Sequence, residues 1–195
     1  AAAFTNLTQD HLDYHGTMAA YMSAKLRLFS HLLQKNGTAV INADSQYAAA
    51  VAETCRARRL AAWTYGEAAD SDLRLVSRQP TLAGQHLDLS LFGESADVQL
   101  PLVGRFQAMN ALAALGLVLA SGLDRDSALA AIERLEGVPG RLQRVAETPS
   151  GGQVFVDYAH TPDALETVLQ ALRPHVGRRL ICIFGCGGDR DRGKR

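Results

Sequence analysis

The chain has 195 residues, 47% apolar and 21% charged, and its 20 basic residues balance 20 acidic ones for a formal net charge of zero. That length holds one domain or parts of two, and the apolar share supplies a packed core and excludes a disordered chain. Balanced charge excludes bulk attraction to nucleic acid or anionic lipid, and no run reaches the roughly 18 apolar residues of a membrane span.

The first strong element is a helix over 17–34, where Met18, Met22, Phe29, Leu32 and Leu33 recur at helical spacing and Asn36-Gly37 supplies the stop. Residues 38–42 read as a short buried strand, 45–58 as a helix and 60–65 as a second strand. That order predicts a parallel α/β unit. Residues 73–76, 86–92 and 98–102 alternate apolar with polar side chains and are punctuated by Gly84, Gly93 and Pro101. They predict an antiparallel patch appended to the parallel sheet. Helices return over 108–120, ended by Gly122, and over 125–135, and Gly137-Val-Pro-Gly140 is a hinge.

Beyond the hinge the pattern restarts. Residues 142–147 and 154–157 read as strands either side of a Pro-Ser-Gly-Gly turn, and a helix runs over 162–173. Its start is well signalled, with Thr161 as N-cap, Pro162 at the first helical position and Asp163 at the positive helix end. Residues 179–184 read as a further buried strand. The chain thus divides into two α/β pieces, 1–138 and 139–195.

Cys55, Cys182 and Cys186 are too few and too oddly spaced for a disulfide framework or a zinc site, so reduced thiols are expected. With no basic stretch and apolar core at the N-terminus, the expected compartment is the cytoplasm. The chain opens on Ala-Ala-Ala-Phe and closes on Gly-Lys-Arg195 within a glycine-rich loop. An internal piece of a longer protein, inactive alone, is the expectation.

Lys25 is the sharpest anomaly, falling in the middle of the apolar stripe of the first helix. Lysine there either snorkels, its stem covering neighbours, or is held in a site as an ion-pair partner or with its amine modified. Asp10, His11, Asp13 and His15 put four metal or proton ligands within six residues, although Asp and His also gather at ordinary helix starts. In Val154-Phe-Val-Asp-Tyr-Ala-His-Thr-Pro-Asp163 a strand delivers Asp157 and His160 to the end of a sheet, where α/β folds bind ligands. The alternative is that both satisfy turn amides. From Gly188 the chain nearly spells a phosphate loop, but Arg195 stands where a hydroxyl is needed and two carboxylates intervene. A P-loop kinase is thereby disfavoured, and an anion-recognising loop through Arg190, Arg192 or Lys194 fits better.

Together, Asn6-Leu-Thr-x-Asp-His-Leu-Asp-Tyr-His-Gly16, Lys25, Gly104-Arg-Phe-Gln-Ala-Met-Asn110, Gly140-Arg141, Asp157-Tyr-Ala-His-Thr-Pro-Asp-Ala-Leu-Glu166 and Gly185-Cys-Gly-Gly-Asp-Arg190 resemble the Mur ligases of peptidoglycan synthesis. The resemblance spans essentially the whole chain. It implies that 1–138 is the later part of a central ATP-binding domain and 139–195 the start of a Rossmann-like C-terminal domain that brings the incoming amino acid. The Asp157 and Gly185 segments point to the branch that adds meso-diaminopimelate, or another diamino acid, to UDP-MurNAc-L-Ala-D-Glu through an acyl phosphate. By the same resemblance His11 ligates Mg2+ and Lys25 becomes a carbamate that does so. Asn110 contacts the adenine of ATP, Arg141, Asp157 and His160 complete the nucleotide set, and Arg190 contacts the diamino acid. Gln107 departs from the family pattern, which has Asn at that position. A monomeric enzyme with small-molecule substrates is implied. A folylpolyglutamate synthase-like ligase and a non-catalytic nucleotide-binding module are the alternatives.

Overall fold

A computed structural model describes residues 1–8, 12–81 and 84–185. Six strands form one sheet in chain order: β1 (Ala2–Phe4), β2 (Thr38–Asn42), β3 (Ala61–Gly66), β4 (Leu73–Thr81), β5 (Gly84–Leu91) and β6 (Glu94–Leu100). β1, β2 and β3 run parallel, as the strand–helix–strand order predicts. β4 also runs parallel to β3, but only through Tyr65↔Leu73 and Gly66↔Arg74. A long crossover is unnecessary there because the chain steps sideways and continues in the same direction instead of returning. From β4 onward the sheet is an antiparallel meander. The expected α/β architecture with an appended antiparallel patch is therefore present.

β2 shows why the parallel part is a sandwiched layer. Ala39, Val40 and Ile41 are all fully buried, and successive side chains of a strand point to opposite faces. Val40 packs with Leu112 and Leu115 of α4 (Arg105–Ala120), under which α5 (Arg125–Ile132) completes that layer. Ala39 and Ile41 face Met22 of α2 (Met18–Arg27), and Val51 and Cys55 of α3 (Ala48–Ala57). α4 approaches β2 so closely that a Cβ at Gly116 would stand 2.7 Å from Val40 Cγ1. Gly116→Val should therefore overpack a fully buried contact and cost about 1–3 kcal/mol. The midpoint of urea unfolding reads this; an unchanged midpoint would show that the helix gives way freely.

α2 follows a short helix, α1 (Leu12–His15), and is capped by Thr17, whose hydroxyl accepts from Ala20 N. A π-helical turn, Leu28–Leu32, continues directly from it, and Leu33 N bonds to Leu28 O at 2.8 Å. The extra residue rotates the apolar stripe, so Leu33 is buried while Leu32 is 69% exposed, although both read as core in the sequence. Arg58 closes the turn by donating to the carbonyls of Phe29 and Leu33 at 2.7 and 2.9 Å.

The second piece contains an antiparallel pair, β7 (Gln143–Glu147) with β8 (Gln153–Val156), and α6 (Pro162–Leu172), capped by Thr161 as the sequence predicts. The expected strand over 179–184 does not form: Ile181, Ile183 and Phe184 are exposed at 73, 95 and 69%. An apolar run becomes a strand only where neighbouring strands accept its backbone hydrogen bonds, and among the described residues β7 and β8 pair only with each other. β1 was not legible at all, being three residues long with no alternation to mark it. Cys55 and Cys182 are free thiols, as expected; Cys186 lies outside the described residues. Among the described residues no helix is long and apolar enough to cross a membrane.

Candidate functional site

Parallel strands end on the same side, and here the ends of β1, β2 and β3 open a crevice of about 370 Å³. Open α/β sheets bind ligands at this edge. Its floor is Thr5 and Asn6 after β1, Asn42 ending β2, and Tyr65 in β3, while Arg105, Phe106, Met109 and Asn110 of α4 form the opposite wall. The i, i+1, i+4, i+5 spacing of those four residues is one helix face. Asn42 fixes the floor: its Nδ2 donates to Thr5 O at 2.7 Å and its Oδ1 accepts from Asp44 N at 3.0 Å. Burial, reinforced by the nearby Asp44 carboxylate, pushes the Tyr65 phenol well above its ordinary range, so it enters the crevice as a neutral group.

Arg105 forks onto Glu67, with Nε–Oε1 at 2.8 Å and Nη2–Oε2 at 2.9 Å, and lies 3.5 Å from Asp44 Oδ2. Asp44 accepts in turn from Glu67 N and Ala68 N. The hydrogen bond from Arg105 holds the Glu67 carboxyl below its usual value. This ion pair is thus complete at neutral pH and is lost as pH falls through that lowered value.

Asn110, named from the sequence, is on this wall, and its Nδ2 donates to Gln107 Oε1 at 3.5 Å. Gln107 is buried and donates onward to Arg141 O at 3.3 Å, linking α4 to the segment after the hinge. There Arg141, Asp157 and His160 form a second group: the Arg141 guanidinium lies 5.7 Å from the Tyr158 ring, which meets His160 edge-on at 5.3 Å. Asp157 does bind turn amides, its two oxygens accepting from Leu142 N and Ala159 N at 2.8 Å each. Each carboxylate oxygen retains a lone pair. Gly104, at φ +96°, lets α4 begin against α6, since a Cβ there would stand 2.9 Å from Ala171 Cβ.

Lys25 lies in a neighbouring hollow of about 410 Å³ with Phe4, Thr5, Leu28 and Phe29. Thr5 is common to both hollows, so they adjoin at the end of β1. Lys25 is half-buried with its ammonium 5.1 Å from the Tyr21 ring, and no carboxylate among the described residues pairs with it. A bare ammonium is no magnesium ligand, but its carbamate would put an anionic oxygen here, the donor type that ion takes. His15 stacks on Tyr21 at 4.5 Å. His11, Asp10 and Arg190 lie outside the described residues.

Two residues were missed in the sequence. Gln85 is fully buried and donates to Leu102 O and Gly104 O at 2.7 and 2.9 Å, pinning the loop into α4. Glu67 meets Arg105 across 38 positions of chain, a pairing no local pattern announces.

Comparison with known proteins bears on this arrangement. The Mur ligase middle domain matches residues 1–118, and the glutamate ligase domain of Mur ligases matches residues 140–195. The UDP-N-acetylmuramoyl-L-alanyl-D-glutamate--2,6-diaminopimelate ligase of Caulobacter vibrioides is 54% identical over the whole chain, and that of Zymomonas mobilis 49%. The chain spans 40% of the length of each. A solved ligase of the same name superposes over 99% of this chain and 39% of its own with a TM-score of 0.79 at 38% identity. The folylpolyglutamate synthase of Mycobacterium tuberculosis, solved with ADP, covers 88% of this chain and 38% of its own at a TM-score of 0.68 and 30% identity.

Proposed function

Because the chain belongs to the Mur ligase family, we propose that it is the part of an ATP-dependent ligase that joins meso-diaminopimelate to UDP-MurNAc-L-Ala-D-Glu in the cytoplasm, working as a monomer. Residues 1–138 belong in this reading to the central ATP-binding domain and 139–195 to the domain that brings the diamino acid. The two family domains match on either side of a short gap around the hinge, which supports that division.

The observation that carries the reading is the crevice. It contains carboxamides (Asn6, Asn42, Gln46, Asn110) between apolar walls (Leu7, Phe106, Met109), and its one described cation is neutralised by two carboxylates. Such a cleft suits a neutral heterocycle with donor and acceptor edges better than a triphosphate. A carboxamide offers a donor and an acceptor side by side, which is what the amino group and ring nitrogen of adenine require. Asp157, with one lone pair left on each oxygen, takes ribose hydroxyls. Arg141 and His160 flank it as further nucleotide contacts.

The reaction has two displacements. The D-glutamyl carboxylate attacks the γ-phosphorus and ADP leaves; the neutral amine of the diamino acid then attacks the acyl carbon, phosphate leaves and the amine proton is lost. His11 and a carbamate on Lys25 would hold magnesium, which would supply charge neutralisation for the phosphates. The chain's own work is to hold the adenine at Asn110 and keep the Lys25 side chain aimed at the neighbouring hollow. Arg190 receives a carboxylate of the diamino acid.

Asn110→Ala in the full-length ligase tests the adenine site. Losing one such hydrogen bond should raise the KM for ATP about tenfold, on the order of 1–1.5 kcal/mol, while the KM values of the other two substrates hold. An unchanged ATP KM would remove the adenine from this crevice.

A further inference from the structure

α4 begins against the electrostatic grain. Its N-cap is Gly104, which offers no side-chain acceptor, its first turn holds no acidic residue, and its first residue is the cation Arg105. The N-terminus of a helix carries partial positive charge, so this is the least favourable place for a guanidinium. The compensation comes from elsewhere in the chain, from Glu67 after β3 and Asp44 after β2. Asp44 in turn holds the backbone that presents Glu67. Gly66, at φ +153°, makes this possible, for a Cβ there would stand 2.8 Å from Asp44 Oδ1. Two strand ends and one helix start are thereby locked together on the rim of the crevice.

We propose that the Asp44–Glu67–Arg105 network is a positioning clamp that sets the face of α4 bearing Asn110 against the strand ends, and so fixes the affinity of the crevice for ATP. Glu67 does not line the crevice, and Asp44 and Arg105, which do, are turned onto the Glu67 backbone and carboxylate. Both nitrogens that Arg105 turns toward Glu67 are occupied, and the bidentate pairing dictates the angle at which the helix enters. Lysine cannot reproduce that fork. The proposal rests on the reading of the crevice as the adenine site.

The test is a double-mutant cycle in the full-length ligase with Glu67→Gln, Arg105→Ala and the pair, beside Arg105→Lys and Asn110→Ala. Each single change of the clamp should raise the KM for ATP five- to twentyfold. The pair should be no worse than the stronger single within twofold, since both changes break one contact. The KM of the other substrates and the melting temperature should stay at wild-type values, which a merely structural role would not allow. Arg105→Lys should resemble Arg105→Ala. If Arg105→Ala raises the ATP KM while Glu67→Gln does nothing, Arg105 touches the nucleotide directly and the clamp is wrong. If Asn110→Ala alone acts, the adenine site stands and the clamp falls. If none of them moves the ATP KM, the reading of the crevice falls with it.

Discussion

Lys25→Arg in the full-length ligase is expected to lose roughly 10²–10³-fold in turnover or more, the scale of removing one preorganised electrostatic group from an active site. The substitution keeps charge and length, so a snorkelling surface cation would tolerate it. A guanidinium cannot form a carbamate, so a metal-holding side chain would not. Lys25→Ala should be equally inactive and still folded, since alanine is the best helix former and Lys25 is only half-buried. Lys25→Glu should recover a little, offering a shorter carboxylate into the same hollow beside Thr5. Ligase rate against magnesium concentration reads all three, with circular dichroism as the check on folding. An active arginine variant would return Lys25 to an ordinary partner of the Tyr21 ring.

A second large effect is expected at Arg190. If its guanidinium receives a carboxylate of the diamino acid, Arg190→Lys should raise that substrate's KM by roughly 10–100-fold, since a charge-assisted hydrogen bond contributes about 1.5–3 kcal/mol and lysine lacks the fork. The ATP KM should stay put. Steady-state kinetics with each substrate varied in turn distinguishes the two, and a larger effect on ATP would place the glycine-rich loop at the phosphates instead.

Residues that act locally were legible in the sequence and residues that act across the fold were not. Thr161, Pro162 and Asp163 start α6 by chemistry confined to four positions, and the structure has that cap. The meander of β4, β5 and β6 was legible because one face is buried and the alternation survives, as in Leu87, Leu89 and Leu91. Lys25 stood out because a cation broke an apolar stripe. The stripe itself was misjudged by one residue, because a π turn closed by Arg58 is set by tertiary contacts that periodicity does not carry. Asn110 could be named from its motif, but the carboxylates that anchor its helix could not, for Glu67 and Asp44 come from other strand ends. Asp157 shows a different limit, since turn anchor and nucleotide ligand look alike in sequence and its geometry leaves room for both.

The central claim is that this chain belongs to a ligase that activates a carboxylate as an acyl phosphate. The most direct measurement places a heavy-oxygen label in the D-glutamyl carboxylate of UDP-MurNAc-L-Ala-D-Glu and follows it through one turnover of the full-length ligase with ATP and meso-diaminopimelate. One labelled oxygen should appear in inorganic phosphate, with ADP as the other product, because the carboxylate oxygen that attacks phosphorus leaves with it. Label recovered in AMP, or amide formed with no label in phosphate, would contradict the account.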